Sequence, residues 1–190
     1  MLHQSSVRDC APTATLSYRP RNVLPFDIGA LPRDAILMFD TTVYIDAQKA
    51  KLPTGLAARI ASHETIHSSV ALGEIAAGIA LLDPSHSGTP TIVEVLTETL
   101  DKADPARTVA PSPTAWLEAS VLSGVLARTQ QLGKEARRKL LNDALIFLSA
   151  DESGAVLVSR NIKDIDLLLQ LRSSVRVLLY NQVLAPSPPR

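Results

Sequence analysis

The chain alternates short, uniformly apolar runs with longer stretches in which apolar positions recur every three or four residues. Ile36 to Phe39 is too short and too evenly apolar for a half-exposed strand, which suits a central parallel strand covered on both faces. A helix is predicted from about Ala47 to Ser62, with Leu52, Leu56, Ala57 and Ile60 at helical spacing. Thr65 to Val70 reads as a second strand running into a helix over Ala71 to Leu82, and a further helix covers Pro90 to Lys102. Arg107 to Ala110 reads as a third strand, and Pro113 suits the first turn of a helix reaching Leu132. After Gly133, Lys134 to Ala150 is a helix that is charged at its start and apolar at its end. Ala155 to Val158 and Val175 to Leu179 complete the strands, with a helix over Ile165 to Leu171 between them. Strands separated by helices of this length predict an α/β sandwich with a mostly parallel central sheet.

Proline marks the ends of this pattern. Seven of the thirteen prolines, Pro12, Pro20, Pro25, Pro32, Pro186, Pro188 and Pro189, fall outside residues 33 to 184. The expected organisation is an extended arm over 1–33, one folded domain over 34–182 and a tail over 183–190. The arm also holds Arg19, Arg21, Val23, Leu24 and Phe26, so it is either a loose tail or a strap that packs on the domain or meets a partner.

Within the pattern, three apolar stretches each carry an acid. Asp40 closes Ile36 to Phe39, Glu74 lies inside Ser68 to Leu82, and Asp143 lies inside Leu140 to Leu148. An isolated buried carboxylate costs several kcal/mol or more, and the escapes are a raised pKa, a salt bridge or a bound cation. Few Lys or Arg share those stretches, which favours a cation. Parallel sheets bind ligands beyond the carboxyl ends of their strands. Asp40 sits at such an end, Glu74 follows a strand by a turn of helix, and Ser159, Arg160, Asn161 and Asp164 follow another strand, so one shared site is expected.

Composition narrows the chemistry. Nineteen basic and nineteen acidic residues give no net charge, so there is no global field of the kind that coats nucleic acid, and any polyanion must be held locally. Cys10 is the single cysteine, which rules out an intrachain disulfide or a Cys-based zinc site and suits a reducing cytoplasm. No basic and apolar leader opens the sequence and no run reaches the roughly 18 apolar residues of a membrane span, so a soluble, cytoplasmic protein is expected.

Four segments then match one family. Phe39 to Asp46 (FDTTVYID) resembles the first acidic motif of PIN-domain nucleases, Ser69 to Gly78 (SVALGEIAAG) the second, Asn142 to Ile146 (NDALI) the third, and Val158 to Ile165 (VSRNIKDI) the fourth. The resemblance runs from about residue 35 to residue 182, and within the family it is to VapC-like toxins of toxin–antitoxin pairs. It implies a PIN-like three-layer α/β/α sandwich and a magnesium-dependent endoribonuclease. It further implies Asp40, Glu74 and Asp143 as metal-binding acids with Asp164 as the fourth, and an antitoxin protein and a homodimer as partners. The departures are Ser159 where the family often has Thr, Ile165 where it often has Phe, and the long N-terminal arm.

Elementary coordination chemistry agrees. Mg²⁺ and Mn²⁺ prefer carboxylate and water oxygens, so an acidic cluster lacking Cys and His suits them. Thr41 and Ser159 are candidates to orient acids or waters around the ion, and Asn161 to donate to a carboxylate or phosphate. Thr41 also suits a cap, Asn161 a turn and Asp164 the N-cap of the helix that follows. Asp46 either approaches the same site or, from its position before a helix, caps it, and the cap is the preferred reading. Lys134, Arg137 and Arg138, with Lys139, crowd the helix start before Asp143, and Arg160 and Lys163 flank the fourth motif; they either hold an RNA backbone or form a solvated face. Trp116 reads as core, leaving no aromatic platform for bases.

Two other readings compete. A PIN-like module without catalysis would use the fold for protein binding. His63-Glu64-Thr65-Ile66-His67 spells the H-E-x-x-H pattern of zinc proteases. It straddles a helix end and a strand start, where a strand would hold the two histidines about 13 Å apart, so they read as ordinary loop and strand residues.

Overall fold

A computed structural model describes residues 12–183; Cys10, the first eleven residues of the arm and the tail beyond Val183 lie outside the described residues. Five short strands, β1 (Leu37–Phe39), β2 (Thr65–Ser68), β3 (Thr108–Val109), β4 (Val156–Ser159) and β5 (Val177–Leu179), form one sheet. Its order is β3-β2-β1-β4-β5, and every neighbouring pair is parallel. Around it stand helices α1 (Thr41–Gln48), α2 (Thr54–Ala61), α3 (Ser69–Ala80), α4 (Thr89–Asp101), α5 (Pro113–Thr129), α6 (Lys134–Glu152) and α7 (Ile162–Leu171). The architecture is the expected α/β class with a parallel central sheet flanked by helices.

Strands β1 and β4 are buried along their length, as their unbroken apolar character requires. Leu37, Met38, Leu157, Leu168, Leu179 and Phe147 are fully enclosed between sheet and helices. At ~25 cal/mol per Å² of apolar surface, each such side chain stabilises the fold by about 2 kcal/mol relative to exposure.

The expected helix over Ala47–Ser62 is two helices. Pro53 cannot donate to a helical ladder and restricts the residue before it, so α2 starts at Thr54 with Pro53 at its N-cap position. Upstream, Ala50 closes α1 with a φ of 50°, a left-handed conformation that ends the helix. At its other end α1 begins directly after Asp40, earlier than expected. Helix α7 likewise begins at Ile162, which puts Asp164 in its first turn instead of at its cap.

Residues 12–33 run along the domain. Thr15 Oγ1 donates to the Thr129 carbonyl at 2.8 Å, Gln130 Nε2 to that of Leu16 at 3.3 Å, and Gln170 Nε2 to that of Ser17 at 3.1 Å. Arg19 donates from its backbone N and its Nε to the two carboxylate oxygens of the buried Asp166, at 2.8 and 2.6 Å. Further on, the Leu179 N–H donates to Pro25 O at 2.7 Å, so the arm covers the outer edge of β5 that another chain would otherwise find unpaired.

Candidate active site

In the order 3-2-1-4-5 the connection leaving β1 runs toward β2 on one side, while the chain crosses back from β3 to β4 on the other side of β1. The carboxyl ends of β1 and β4 therefore open a crevice of the kind that receives ligands in parallel sheets. Asp40 directly follows β1 and Ser159 ends β4, so the sheet register itself brings them together. The Asp40 N–H donates to Val158 O at 3.1 Å, and Ser159 Oγ donates to Asp40 Oδ2 at 2.5 Å. Thr42 Oγ1 donates to the same Oδ2 at 2.9 Å and accepts the Arg160 N–H at 3.2 Å.

Glu74 arrives from the second turn of α3. Thr41 Oγ1 donates to its Oε2 at 2.5 Å and Asn142 Nδ2 to its Oε1 at 2.8 Å. Asn142 is thus a site residue that the acid pattern alone does not single out. The next residue, Asp143, is 5% exposed, and its Oδ2 is enclosed without a hydrogen-bond partner among the described residues. Burial first, then the charges of Asp40 and Asp164, push the Asp143 carboxyl up to about 8, with Lys139 opposing and Glu74 adding to the rise. Burial likewise raises the Asp40 carboxyl, against its hydrogen bonds from Ser159 and Thr42. Asp164 accepts from Asn161 Nδ2 at 2.9 Å, and its Oδ2 lies 3.8 Å from Lys139 Nζ; the Asn161 N–H donates to Ser159 Oγ at 2.9 Å.

Four carboxylates therefore share one electrostatic environment, three of them tied to hydroxyl or amide donors and one left short. Among the described residues no three His, Cys, Asp or Glu side chains stand at chelating spacing, since Asp40, Glu74 and Asp164 are turned onto those donors. The donor set is all oxygen, the kind that hard divalent cations prefer.

The remaining candidates divide. Arg160 Nε donates to Asp46 Oδ2 at 2.6 Å, so this cation is anchored inward. Asp46, read as a cap, lies inside α1 and is fully buried; it also accepts from Tyr180 OH at 2.9 Å and Gln182 Nε2 at 2.5 Å. Lys163 Nζ stands 5.8 Å above the Tyr18 ring. Lys134, Arg137 and Arg138 line a depression between α5 and α6 instead of the acidic crevice. Trp116, read as core, is 48% exposed on α5.

The two histidines of the H-E-x-x-H pattern lie apart, on different elements. His63 sits in the loop before β2, with Nδ1 2.6 Å from Arg59 O and Nε2 3.0 Å from Pro32 O, whereas His67 Nδ1 lies on β2, 2.8 Å from Tyr44 OH. No helix presents them at one metal.

No protein-family model and no curated protein matches the sequence. Solved structures do match the fold. A chain of VapBC2 from Rickettsia felis, solved bound to a DNA fragment from its promoter, aligns over 77% of this chain and 99% of its own with 16% identity and a TM-score of 0.51. FitAcB from Neisseria gonorrhoeae aligns over 75% and 96% with 16% identity and a TM-score of 0.52. DNA-bound VapBC from Salmonella typhimurium aligns over 76% and 98% with 17% identity and a TM-score of 0.50. At these identities the likeness is one of fold: the chain has the fold of a VapC-like PIN domain.

Proposed function

We propose that the chain is a divalent-metal-dependent endoribonuclease, the toxin of a toxin–antitoxin pair, with Mg²⁺ or Mn²⁺ as its cofactor. The observation that carries this reading is the buried, partnerless Oδ2 of Asp143 facing Asp40, Glu74 and Asp164 at the carboxyl ends of β1 and β4. Nothing in packing requires an acid at that place, and one more positive charge there would relieve every repulsion in the cluster. The residues fit a hard cation by that orphaned oxygen and by their all-oxygen chemistry. Asp40, Glu74 and Asp143 would hold it, with Asp164 beside them. When bound, such an ion lowers the pKa of a water and neutralises charge on a phosphodiester.

The protein's own groups supply the rest. Ser159 and Thr42 fix the rotamer of Asp40, and Thr41 and Asn142 do so for Glu74, which keeps acids that repel one another in one orientation. Asn161 holds Asp164 at the mouth. Asp143 has to give up its proton before it can contribute charge, so activity rises with pH through the range near its raised pKa.

A protein partner follows from the same reading. The solved neighbours are VapBC and FitAB-type assemblies, some on DNA, and an antitoxin here would cover the acidic mouth with an Arg or Lys. Ile92 and Val95 on α4 and Leu117 on α5 are exposed apolar positions for a homodimer; a monomeric mass by light scattering at micromolar concentration would remove that part. The function is tested by cleavage of a pool of structured RNAs with Mg²⁺, Mn²⁺ or EDTA, using wild type and the Asp40→Asn and Asp143→Asn variants. Cutting that needs the metal and both acids supports it, and metal-independent cutting, or none by folded protein, argues against it.

A further inference from the structure

Helices α5 and α6, joined by a short turn, leave a depression of about 320 Å³ between them. Ser120, Ser123 and Gly124 form its α5 wall, and Lys134, Arg137 and Arg138 supply charge from α6. Among the described residues none of these three cations has an acid within 4.0 Å, unlike Arg19, Arg160 and Arg172, each of which is paired. Small residues make the space, since a Cβ on Gly124 would meet nothing within 4 Å.

Two features extend the depression. At about 100° per residue, Trp116 falls on the same face of α5 as Ser120 and Ser123, one turn nearer the helix start. Its ring is half exposed, and Ser120 Oγ donates to its carbonyl at 2.8 Å. On α6 the same spacing places Lys134 and Arg138 together and turns Lys139 toward the side of Asp143, while Asn142, one turn after Arg138, reaches Glu74. Basic side chains thus wrap the exposed start of α6 from the depression to the acidic mouth.

We infer that the depression between α5 and α6 binds a single-stranded nucleic-acid backbone, with phosphates on Lys134, Arg137 and Arg138 and a base stacked on Trp116. This rests on the nuclease reading for the identity of the ligand and adds where the strand lies, on the flank of α6 away from Asp143. Unpaired cations match a polyanion, and cations beside an aromatic face are the pairing that sequence-tolerant single-strand sites use. A duplex is too wide for a trough between two packed helices.

The test uses Trp116 itself, the chain's single tryptophan. Fluorescence is followed as an oligouridine of about ten nucleotides is added to the full chain in EDTA, across a range of salt. Wild type is expected to be quenched, with affinity falling steeply as salt rises. The variant Lys134→Gln/Arg137→Gln/Arg138→Gln is expected to bind with a log–log salt slope shallower by about 2, the value for three phosphate contacts on a single strand. Trp116→Ala, followed by anisotropy of a labelled strand, is expected to lose about tenfold or more in affinity. Unchanged slope and affinity in both variants would overturn the inference, as would equal quenching by polyglutamate. Cleavage by wild type alongside those outcomes would leave the nuclease standing; quenching without cleavage in any metal would sink the nuclease and leave the groove.

Discussion

Two sets of buried aspartates in this fold answer the same physical problem in opposite ways. Asp46 and Asp166 are 0% and 1% exposed, and each is matched: Asp46 by Arg160, Tyr180 and Gln182, Asp166 by two donors of Arg19. Asp40 and Asp143 are 4% and 5% exposed and receive no cation from the described chain. Asp40 is served by neutral donors alone among the described residues, the Ser159 and Thr42 hydroxyls and the Thr41 backbone N–H, and one oxygen of Asp143 has no hydrogen-bond partner there. Burial is nearly the same, so it is the partners that separate an acid holding the structure from one held ready for a ligand. Arg160 links the two sets, because its side chain ties down Asp46 while its backbone N–H steadies Thr42, which in turn holds Asp40.

The sharpest way to break the comparison is Asp143→Asn. Activity is expected to fall by at least about 1,000-fold in an RNA cleavage assay, as for loss of an essential catalytic group, with stability to urea equal to or above wild type. A variant that unfolds would place Asp143 with the structural acids. Asp46→Ala should do the reverse, lowering the free energy of unfolding by about 3–5 kcal/mol in urea titration, because Arg160, Tyr180 and Gln182 lose their shared acceptor. Ser159→Ala is expected to weaken divalent binding by about 10–100-fold through the Asp40 rotamer, measured by Mn²⁺ titration. The smallest effect is expected from Asp166→Asn. It leaves Arg19 a neutral amide oxygen to donate to, at a cost of about 1–2 kcal/mol, with cleavage retained.

Acidity gives Asp143 a second signature. A folded carboxyl raised from 3.8 to about 8 binds a proton that the unfolded chain releases at much lower pH. That contribution to stability is therefore complete below pH 4 and is lost as pH rises from about 4 to about 8. Metal-free protein should then lose a few kcal/mol from this group across that window, seen as a falling thermal midpoint in EDTA. The slope should be reduced in Asp143→Asn and restored toward flat by saturating Mg²⁺.

Much of this was legible in the chain. Alternating apolar runs and amphipathic stretches mark five strands along the chain, whereas their order in the sheet depends on pairing across the fold, and β2 and β3 are mostly half-buried. The acids stand out because Asp40 closes an apolar run and Asp143 lies in one otherwise interrupted only by Asn142. What local pattern could not show was pairing across the fold. Asp46 looks like a cap until Tyr180, 134 residues away, is seen to donate to it. Thr41 and Thr42 are adjacent and alike, yet helix geometry sends one to Glu74 and the other to Asp40. Trp116 has helical spacing with core residues, but at the start of α5 its side chain is left half exposed, and only packing decides that. The break at Ala50 was half visible in Pro53, which forbids a helix through it while leaving the exact stop to the backbone.

The most direct test of the central claim is calorimetric titration of Mn²⁺ into wild type, Asp143→Asn and Asp166→Asn at pH 8. Wild type and Asp166→Asn are expected to bind alike, and Asp143→Asn to lose at least tenfold in affinity. Equal affinity in all three, or no binding to folded wild type, would contradict the account.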